Sequence, residues 1–519
     1  MTLRVPFALL AALALSTAHA VEFGVHDFTF AEFRDAETVA ESCDGASPSF
    51  WCGLQDAALT RVPTKGVDLF FTEAGEIVAA YAKPQKGQTF SNYDLDQRQN
   101  LIPDDAPRPG AALRLDGAYL PPEAATATWE RVNEDVVRGT FTHRAGPLEV
   151  ERTVEVSNLR HTVLLDVRAT RVTAADAADA DAIPLQLSFP GVAGVDDPVL
   201  KVGQGYGEDG SSATNPLSQA VGTPSYASLQ NNDRNTAFAI VLTPQRAADG
   251  APLQDDLQAL PLPPREMALQ VPLGGAAGAT ASLDVRSYLG PNELVRYEQE
   301  GYVEMPGLFD PNILGRLSLG ILWVLQTLHD YLGNWGLSII ALTLLFRALV
   351  WPLINTQTKS MYGMQELQPK IQELQKKHKD DRETLTQETM KLYREAGVNP
   401  AGGCLPILLQ MPLFIILWRV FVNFEFGEGF LWVPDLGQRD PTFILPILYV
   451  MVMFAMSWFS ARGNPQSLRQ QILINVVFAF ILFGFPAGVL LYFVVSMGVQ
   501  VLQYWLIQRG RGAAAGASG

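Results

Sequence analysis

The stretch that decides the fold is residues 333–354, GNWGLSIIALTLLFRALVWPLI, a long apolar run that contains a single charged residue, Arg347. The run is long enough to cross a bilayer as a helix, and it holds no aspartate or glutamate that could pair with the arginine. A charge inside a membrane is costly, so it usually faces a partner, an interface or water. We therefore expect Arg347 either to reach an interface or to face a wet cavity.

Composition divides the chain into two parts. The 519 residues carry a net charge of -16, but residues 21–305 contain 21 Lys+Arg and 41 Asp+Glu, whereas residues 306–519 contain 16 and 13. An acidic part therefore precedes a nearly neutral and very apolar part. Because phosphate contacts need Lys and Arg, the acidic part predicts no nucleic-acid partner. Its charge mainly confers solubility.

Residues 1–20 have the pattern of an export signal peptide. Arg4 is followed by a short apolar core and by Ala18-His19-Ala20, which is typical of a cleavage site. A short N-terminal anchor is the alternative. Export would place the next residues in an oxidising compartment, where Cys43 and Cys52 are expected to form a disulfide. Two free thiols are the alternative state of this pair.

Residues 21–305 predict an all-β sandwich domain. Leu148, Val150, Val154 and Val156 alternate with polar residues, and a turn at 144–147 joins this strand to the β-prone stretch 139–143. Further strands are predicted at 162–170, 238–243 and 281–288. Many short strands with Gly and Pro between them favour a sandwich. His143 and His161 stand among carboxylates at strand spacing, so we expect both at the surface.

The second part predicts a helical membrane core, residues 334–509. An amphipathic helix at 309–331 is expected to lie in the membrane interface, and a simple helical lead-in to the first span is the alternative. Lys and Arg are concentrated in 356–400, in 461–469 and at the C-terminus, which predicts that these parts are cytoplasmic and that the β domain is on the other side. The five predicted spans are 334–355, 401–422, 442–460, 470–485 and 487–508.

Residues 356–400 predict a charged helical hairpin in the cytoplasm, in which Asp381 caps the second helix. Met361, Tyr362 and Met364 at its base are adaptable apolar residues that could receive segments of a substrate. A solvated connector is the alternative. Residues 510–519 predict a short disordered tail.

Several motifs of the second part resemble those of the YidC/Oxa/Alb family of membrane protein insertases, of the Gram-negative type with a large periplasmic domain. The resemblance covers about 310–509. It is carried by the run 333–353, by Leu367-Gln368-Pro369-Lys370-Ile371, by Asn399-Pro400-Ala401-Gly402-Gly403-Cys404-Leu405-Pro406 with Gln410-Met411-Pro412, by Phe485-Pro486-Ala487-Gly488 and by Leu491-Tyr492. Tyr288-Leu289-Gly290-Pro291 looks like the end of the family's periplasmic domain.

The resemblance implies a multi-pass protein of the bacterial inner membrane that inserts and helps to fold membrane proteins, with neither enzymatic activity nor a cofactor or metal. Its hydrophilic groove would open to the cytoplasm and to lipid, with Arg347, Thr343 and Tyr492 at groove positions. Gln410, Asn475 and Gln500 are further candidates for its polar lining. The implied partners are newly made membrane proteins, the lipid bilayer, the Sec translocon and the ribosome. We do not expect the ribosome to bind through the short tail, because the tail lacks a run of basic residues.

Two other functions compete with this interpretation. A transporter or channel would need several polar residues converging at mid-membrane, and such proteins often contain repeats. The sequence offers one arginine, a few amides and no repeat. A carbohydrate-binding or carbohydrate-active outer domain is the other alternative, and no nucleophile motif or metal cluster supports it.

Overall fold

The computed structural model divides the chain into two compact units, residues 1–311 and 312–519, which we call the β unit and the helical unit. The described residues are 23–29, 50–54, 57–83, 100–103, 106–174, 182–191, 199–204, 213–230, 238–245, 256–263, 265–302, 305, 308, 312–378, 381–397, 405–460 and 465–517. The predicted signal peptide and Cys43 lie outside them. Cys52 is disulfide-bonded, and its pairing with Cys43 stays a prediction.

The β unit contains nineteen strands among its described residues, a 3-10 helix at Phe50–Gly53 and a short helix, α1 (Leu294–Gln299). The strands are β1 (His26–Thr29), β2 (Ala58–Pro63), β3 (Val67–Thr72), β4 (Ile77–Ala82), β5 (Ala112–Leu115), β6 (Ala118–Tyr119), β7 (Glu123–Asn133), β8 (Val136–Ala145), β9 (Leu148–Ser157), β10 (Thr162–Arg171), β11 (Ile183–Phe189), β12 (Val199–Gln204), β13 (Ala213–Pro216), β14 (Val221–Gly222), β15 (Pro224–Gln230), β16 (Phe238–Pro244), β17 (Gln258–Leu262), β18 (Glu266–Leu273) and β19 (Thr280–Pro291).

These strands form three antiparallel sheets. The largest has the order β13-β12-β15-β16-β19-β10-β9-β8-β7, the second has the order β14-β17-β18-β11-β5-β6, and the smallest is β1-β2-β3-β4. Apolar residues from all three sheets belong to one buried cluster, which includes Leu69, Val154 and Leu269. This arrangement confirms the predicted β-sandwich.

The predicted hairpin is present as β8 and β9, with Gly146 at a φ of 56° in the turn. In β9, Leu148, Val150, Val154 and Val156 point into the core as predicted. Arg152 occupies the same inward row and is buried, which the alternation alone did not indicate. The expectation that His143 and His161 lie at the surface is wrong, because both are buried.

The helical unit begins with α2 (Ile313–Leu332) and a long α3 (Trp335–Lys377). They are followed by α4 (Arg382–Glu395), α5 (Leu405–Asn423), α6 (Ile444–Ser460), α7 (Pro465–Leu482) and α8 (Ala487–Ala517). By length and composition, one described helix could cross a membrane, over Trp335–Pro352 with a mean hydropathy of 1.6. Shorter apolar helical stretches are found at Gln410–Asn423, Ile444–Trp458, Gln471–Leu482 and Ala487–Gln503.

Local capping explains where the first helices begin and end. The Asn312 side chain accepts a hydrogen bond from the Gly315 N–H at the start of α2, and Gly333 adopts a left-handed conformation at its end. The next residue, Asn334, caps α3 by accepting from the Leu337 N–H. Gly333-Asn334 therefore stops one helix and starts the next.

The large apolar residues of α2, the helix predicted to be amphipathic, are only partly buried. Leu325 is buried, whereas Leu314 and Leu317 are exposed. The face that the helix buries consists of Gly315, Ser318, Leu322 and Leu325, and α2 packs against α3 and α5. Small residues let helices approach closely, so the buried face is displaced from the stripe of large apolar residues.

The predicted hairpin of residues 356–400 is formed by the end of α3 and by α4. Asp381 caps α4, accepting from the N–H of Thr384 at 3.0 Å and from its hydroxyl at 2.6 Å. The first helix is continuous with the apolar stretch of α3, which gives it 43 residues. Met361, Tyr362 and Met364 lie on α3, and their side chains are outside the description.

Candidate substrate groove

Arg347 lies on α3 and is buried against α8, with only 8% of its surface exposed. Its Nε donates a hydrogen bond to the hydroxyl of Ser496 at 2.8 Å, and its Nη2 donates to the same oxygen. No carboxylate of the described residues pairs with it. The guanidinium is therefore enclosed by protein, and its charge has a neutral partner.

Tyr492 lies one turn before Ser496 on α8 and is also buried. Its hydroxyl accepts a hydrogen bond from the Nε2 of Gln410 on α5. Tyr492 is packed beside Phe493, which also contacts Tyr449 of α6 and Phe414 of α5. Three helices, α3, α5 and α8, thus bring Arg347, Gln410, Tyr492 and Ser496 to one polar region.

The other predicted groove residues are placed differently. Thr343 is buried one turn before Arg347, and its hydroxyl donates to the carbonyl of Ile339 in its own helix at 2.6 Å. Asn475 of α7 donates to the Ser457 hydroxyl of α6 at 2.8 Å, so it joins these two neighbouring helices. Gln500 is half-buried on α8.

A second polar pair on α3 and α8 was missed by the sequence analysis. The Nε2 of buried Gln503 donates to the Asn355 Oδ1 at 2.7 Å and, at 3.5 Å, to the Trp351 carbonyl. Helical spacing carried a signal for it, because Asn355 follows Arg347 by eight residues and Gln503 follows Ser496 by seven. Such spacings place both residues of each helix on one face.

The connection between α5 and α6, residues 424–443, packs against the starts of α8 and α3. Its Gln438 and Leu436 carbonyls accept from the N–H groups of Ala487 and Gly488, at 2.6 and 2.8 Å, and so cap α8. Phe430 packs so closely on Gly336 of α3 that a Cβ at Gly336 would lie 2.1 Å from its ring.

Asp440 anchors the end of this connection at the start of α6. Its carboxylate accepts from the Leu445 N–H at 2.7 Å and from Thr442. Burial opposes ionisation, yet these hydrogen bonds hold the pKa of Asp440 below its usual value. The connection is therefore a fixed part of the helical unit, held by main-chain and carboxylate hydrogen bonds.

The β unit has a polar cluster inside its core, made of Glu76, Tyr119, His143 and Arg152. Both carboxylate oxygens of Glu76 lie 3.3 Å from the Tyr119 hydroxyl. Burial raises the Glu76 pKa to about 7 against the opposing effect of Arg152, and burial, aided by Arg152, lowers the His143 pKa to about 3. All three nitrogens of the Arg152 guanidinium lack a hydrogen-bond partner among the described residues.

Glu300, just after α1, forms a second buried cluster in the β unit. It accepts from the His161 N–H at 2.7 Å and from the Thr162 hydroxyl. Burial would raise its pKa, but the hydrogen bonds and the charge of His161 hold the pKa below its usual value. Glu300 thereby fastens the segment after β19 to the start of β10. Neither cluster is a metal site, since no group of three His, Cys, Asp or Glu among the described residues could hold a metal ion.

Comparison with known proteins gives a consistent family. A family model described as "60Kd inner membrane protein" matches residues 327–514. A relative from Deinococcus radiodurans, named membrane protein insertase YidC, is 34% identical over 417 residues, which cover 78% of this chain and 91% of the relative. A relative of the same name from Cupriavidus metallidurans is 40% identical over 257 residues, which cover 48% of this chain and 46% of the relative.

A solved structure has a similar fold. It is an active YidC insertase with its first transmembrane domain resolved, and it matches with a TM-score of 0.52 and 20% identity over 86% of this chain and 91% of that chain. The relatives are named as insertases rather than as enzymes. The length and identity of the Deinococcus match decide the assignment, and this chain belongs to the YidC family of membrane protein insertases.

Proposed function

We propose that this protein inserts membrane proteins into the bacterial inner membrane by holding their polar tails against Arg347 while their apolar segments move into lipid. Membership of the family supports insertion over the transporter and carbohydrate alternatives. The groove would be lined by Arg347, Thr343, Gln410, Tyr492 and Ser496. Newly made membrane proteins are the substrates and the bilayer is the destination.

The observation that carries this proposal is the state of Arg347. A buried cation usually has a carboxylate partner, because an uncompensated charge in an apolar region is costly. Arg347 has the Ser496 hydroxyl instead. A neutral acceptor orients the guanidinium without neutralising it, so its charge remains available to an acidic group of a substrate tail. The alternative, in which the arginine reaches lipid headgroups, is disfavoured by its 8% exposure.

Apolar surface beside the groove supports the second half of the proposal. Leu344, Leu345 and Leu349 are exposed on α3, and Leu473, Phe478 and Phe480 are exposed on α7. Exposed apolar side chains of this density suit contact with lipid or with an apolar helix of a substrate. Moving such a substrate segment into lipid is favoured by about 25 cal/mol per Å² of buried apolar area.

Five spans, formed by the apolar part of α3 and by α5, α6, α7 and α8, complete the proposed topology. The Lys and Arg distribution favours a cytoplasmic α3–α4 hairpin and a periplasmic β unit. The hairpin would receive substrates through Met361, Tyr362 and Met364. We further propose that the protein acts alone or beside the Sec translocon.

The test is insertion into proteoliposomes that contain only this purified protein. The substrate is a small single-span protein with an acidic tail, and protection of the tail from added protease is scored. We expect protection clearly above that in empty liposomes. Background protection with correctly oriented protein would reject insertion by this protein alone, and solute flux from the same vesicles would then revive the channel alternative.

A further inference from the structure

The pair Asn355–Gln503 forms a polar layer separate from that of Arg347 and Ser496. At 1.5 Å per residue, its offsets of eight residues on α3 and seven on α8 place it about 11 Å further along these helices. The contact between α3 and α8 therefore contains two polar layers, which differ in charge. The first has a guanidinium, and the second has two neutral carboxamides.

The second layer has an unused hydrogen-bond acceptor. Gln503 is 1% exposed, and its Oε1 is buried with no donor among the described residues. Asn355 is half-buried, so this side of the pair can be reached. An amide oxygen without a donor in apolar surroundings is costly. If the pair served only to join two helices, the amide oxygens of both residues would be expected to accept a hydrogen bond.

The chemistry of the two layers is complementary. A guanidinium has only donors, so the first layer can bind carboxylates and carbonyls. A carboxamide has both a donor and an acceptor and carries no charge, which are also the properties of a peptide group. The second layer can therefore pair with the main chain of any extended peptide, whatever its side chains.

We propose that Asn355 and Gln503 bind the main chain of the substrate tail, independently of its sequence, while Arg347 binds its acidic groups. This inference rests on the proposed groove and adds a second binding position to it. A tail of about four extended residues spans the distance between the layers at about 3.3 Å per residue. One tail can therefore contact both layers at once.

The test uses the full-length protein with Gln503→Met, which keeps the size of the side chain and removes the amide. Three substrates share one apolar segment and differ only in an acidic, neutral or basic tail. We expect insertion to fall about fivefold for all three tails. Gln326→Met, which removes a half-buried amide on α2, is the matched control and should leave insertion unchanged.

A second measurement separates substrate binding from helix packing. A photo-crosslinking group is placed in the substrate tail, and its crosslinks to α3 and α8 are quantified by mass spectrometry. Gln503→Met should lower their yield about fivefold while the thermal unfolding midpoint in detergent stays within a few degrees of that of the wild type.

Two results would overturn the inference. A loss confined to acidic tails would mean that Gln503 acts through Arg347. An unchanged crosslink yield, with a lowered unfolding midpoint, would mean that the pair only joins α3 to α8. Both results require an active wild type, so they are distinct from a wild type that fails to insert any substrate, which would reject the proposed function itself.

Discussion

Both units of this protein bury arginines, and Arg152 of the β unit differs from Arg347 of the helical unit in the groups that surround it. In the β unit, Arg152 is 0% exposed and has no hydrogen-bond partner within the described part of the chain, and Glu76 acts on it electrostatically. In the helical unit, Arg347 is almost as buried, yet it is oriented by Ser496 and has no carboxylate near it among the described residues. The acid that would neutralise a buried arginine is thus supplied within the β unit and is lacking in the described groove.

The difference shows that a buried charge can contribute either to stability or to ligand binding. A cation that is compensated within its own domain belongs to the fold and affects stability. A cation that is oriented by a neutral group, and is not paired with an anion of the protein, can still attract an anionic ligand. Mutations should therefore separate the two units: changes to groups in the β unit should alter stability, and changes near Arg347 should alter insertion.

The largest effect is expected for Arg347→Ala with substrates that have acidic tails. At a separation of about 6 Å and an effective dielectric constant of about 20, one charge pair contributes about 3 kcal/mol. We therefore expect insertion of acidic tails to slow by about a hundredfold in the protease-protection assay. Neutral tails should slow far less.

Arg347→Lys is the matched control, since it keeps the charge and loses the fork of donors. It should retain more activity on acidic tails than Arg347→Ala does. An equal loss for acidic and neutral tails in the alanine variant would falsify the electrostatic role.

The next largest effect is expected for Glu300→Ala. The substitution leaves the His161 N–H and the Thr162 hydroxyl buried without their acceptor, which should lower the free energy of unfolding by about 2 kcal/mol. Hydrogen exchange of the full-length protein in detergent should show faster exchange at the start of β10 and in α1. Glu151→Ala, at an exposed position of β9, is the control. Equal exchange in both variants would show that Glu300 does not fasten this segment.

A pH-dependent effect of comparable size is expected from Glu76. Its pKa is about 7 when folded and near 4.5 when unfolded, so between these values the folded state keeps a proton that the unfolded state has lost. The contribution of Glu76 to stability should therefore fall as pH rises from about 5 to about 7, by at most about 1.4 kcal/mol per pH unit. Asp284, whose pKa burial and Asp166 raise to about 6, adds the same sign over the lower part of this range. His143, whose pKa is lowered from 6.5 to about 3, acts in the opposite direction up to about pH 6.5, so the effect of Glu76 is measured as the difference between the wild type and Glu76→Gln.

Unfolding of the full-length protein at several pH values, followed by exchange in β4 and β9, measures this effect. Glu76→Gln should remove the falling contribution, so that its stability rises with pH relative to that of the wild type, whereas Glu151→Gln should leave the pH dependence unchanged. A slope that survives Glu76→Gln unchanged would assign the titration to another group.

The smallest effect is expected for Ser496→Ala. Arg347 keeps its charge but loses the hydroxyl that orients it, so insertion of acidic tails should fall about threefold. Ser496→Thr retains a hydroxyl and should restore most of the rate. If Ser496→Ala were as inactive as Arg347→Ala, the serine would have a role beyond orienting the arginine.

The elements that could be predicted from the sequence are those whose structure depends on residues close together in the chain. The alternation of β9 and the Asp381 cap of α4 were predicted correctly, because each depends on neighbours in the chain. The same local argument failed for His143 and His161. Their burial depends on how β8 and β10 face the core and on close packing of His161 against Gly66 and Gly290, which no local pattern reports.

The candidate groove shows a similar division. Arg347 was identified because a charge in an apolar run is conspicuous, and Tyr492 and Gln410 came from the family resemblance. Ser496, Asn355 and Gln503 are polar residues that no sequence motif singles out. Their contacts become evident only when α3 and α8 are placed side by side. Asn475, which looks similar in the sequence, pairs with Ser457 instead.

The connection 424–443 has a consequence for the energetics of the cell membrane. It caps α8 with main-chain carbonyls, is anchored by the Asp440 carboxylate and packs Phe430 against Gly336 of α3. In the proposed five-span topology, this connection lies on the side opposite the cytoplasmic α3–α4 hairpin, so we expect it to keep the periplasmic end closed and the proton gradient intact during insertion. Vesicles containing the protein should then hold an imposed pH difference as long as empty vesicles do, even during insertion.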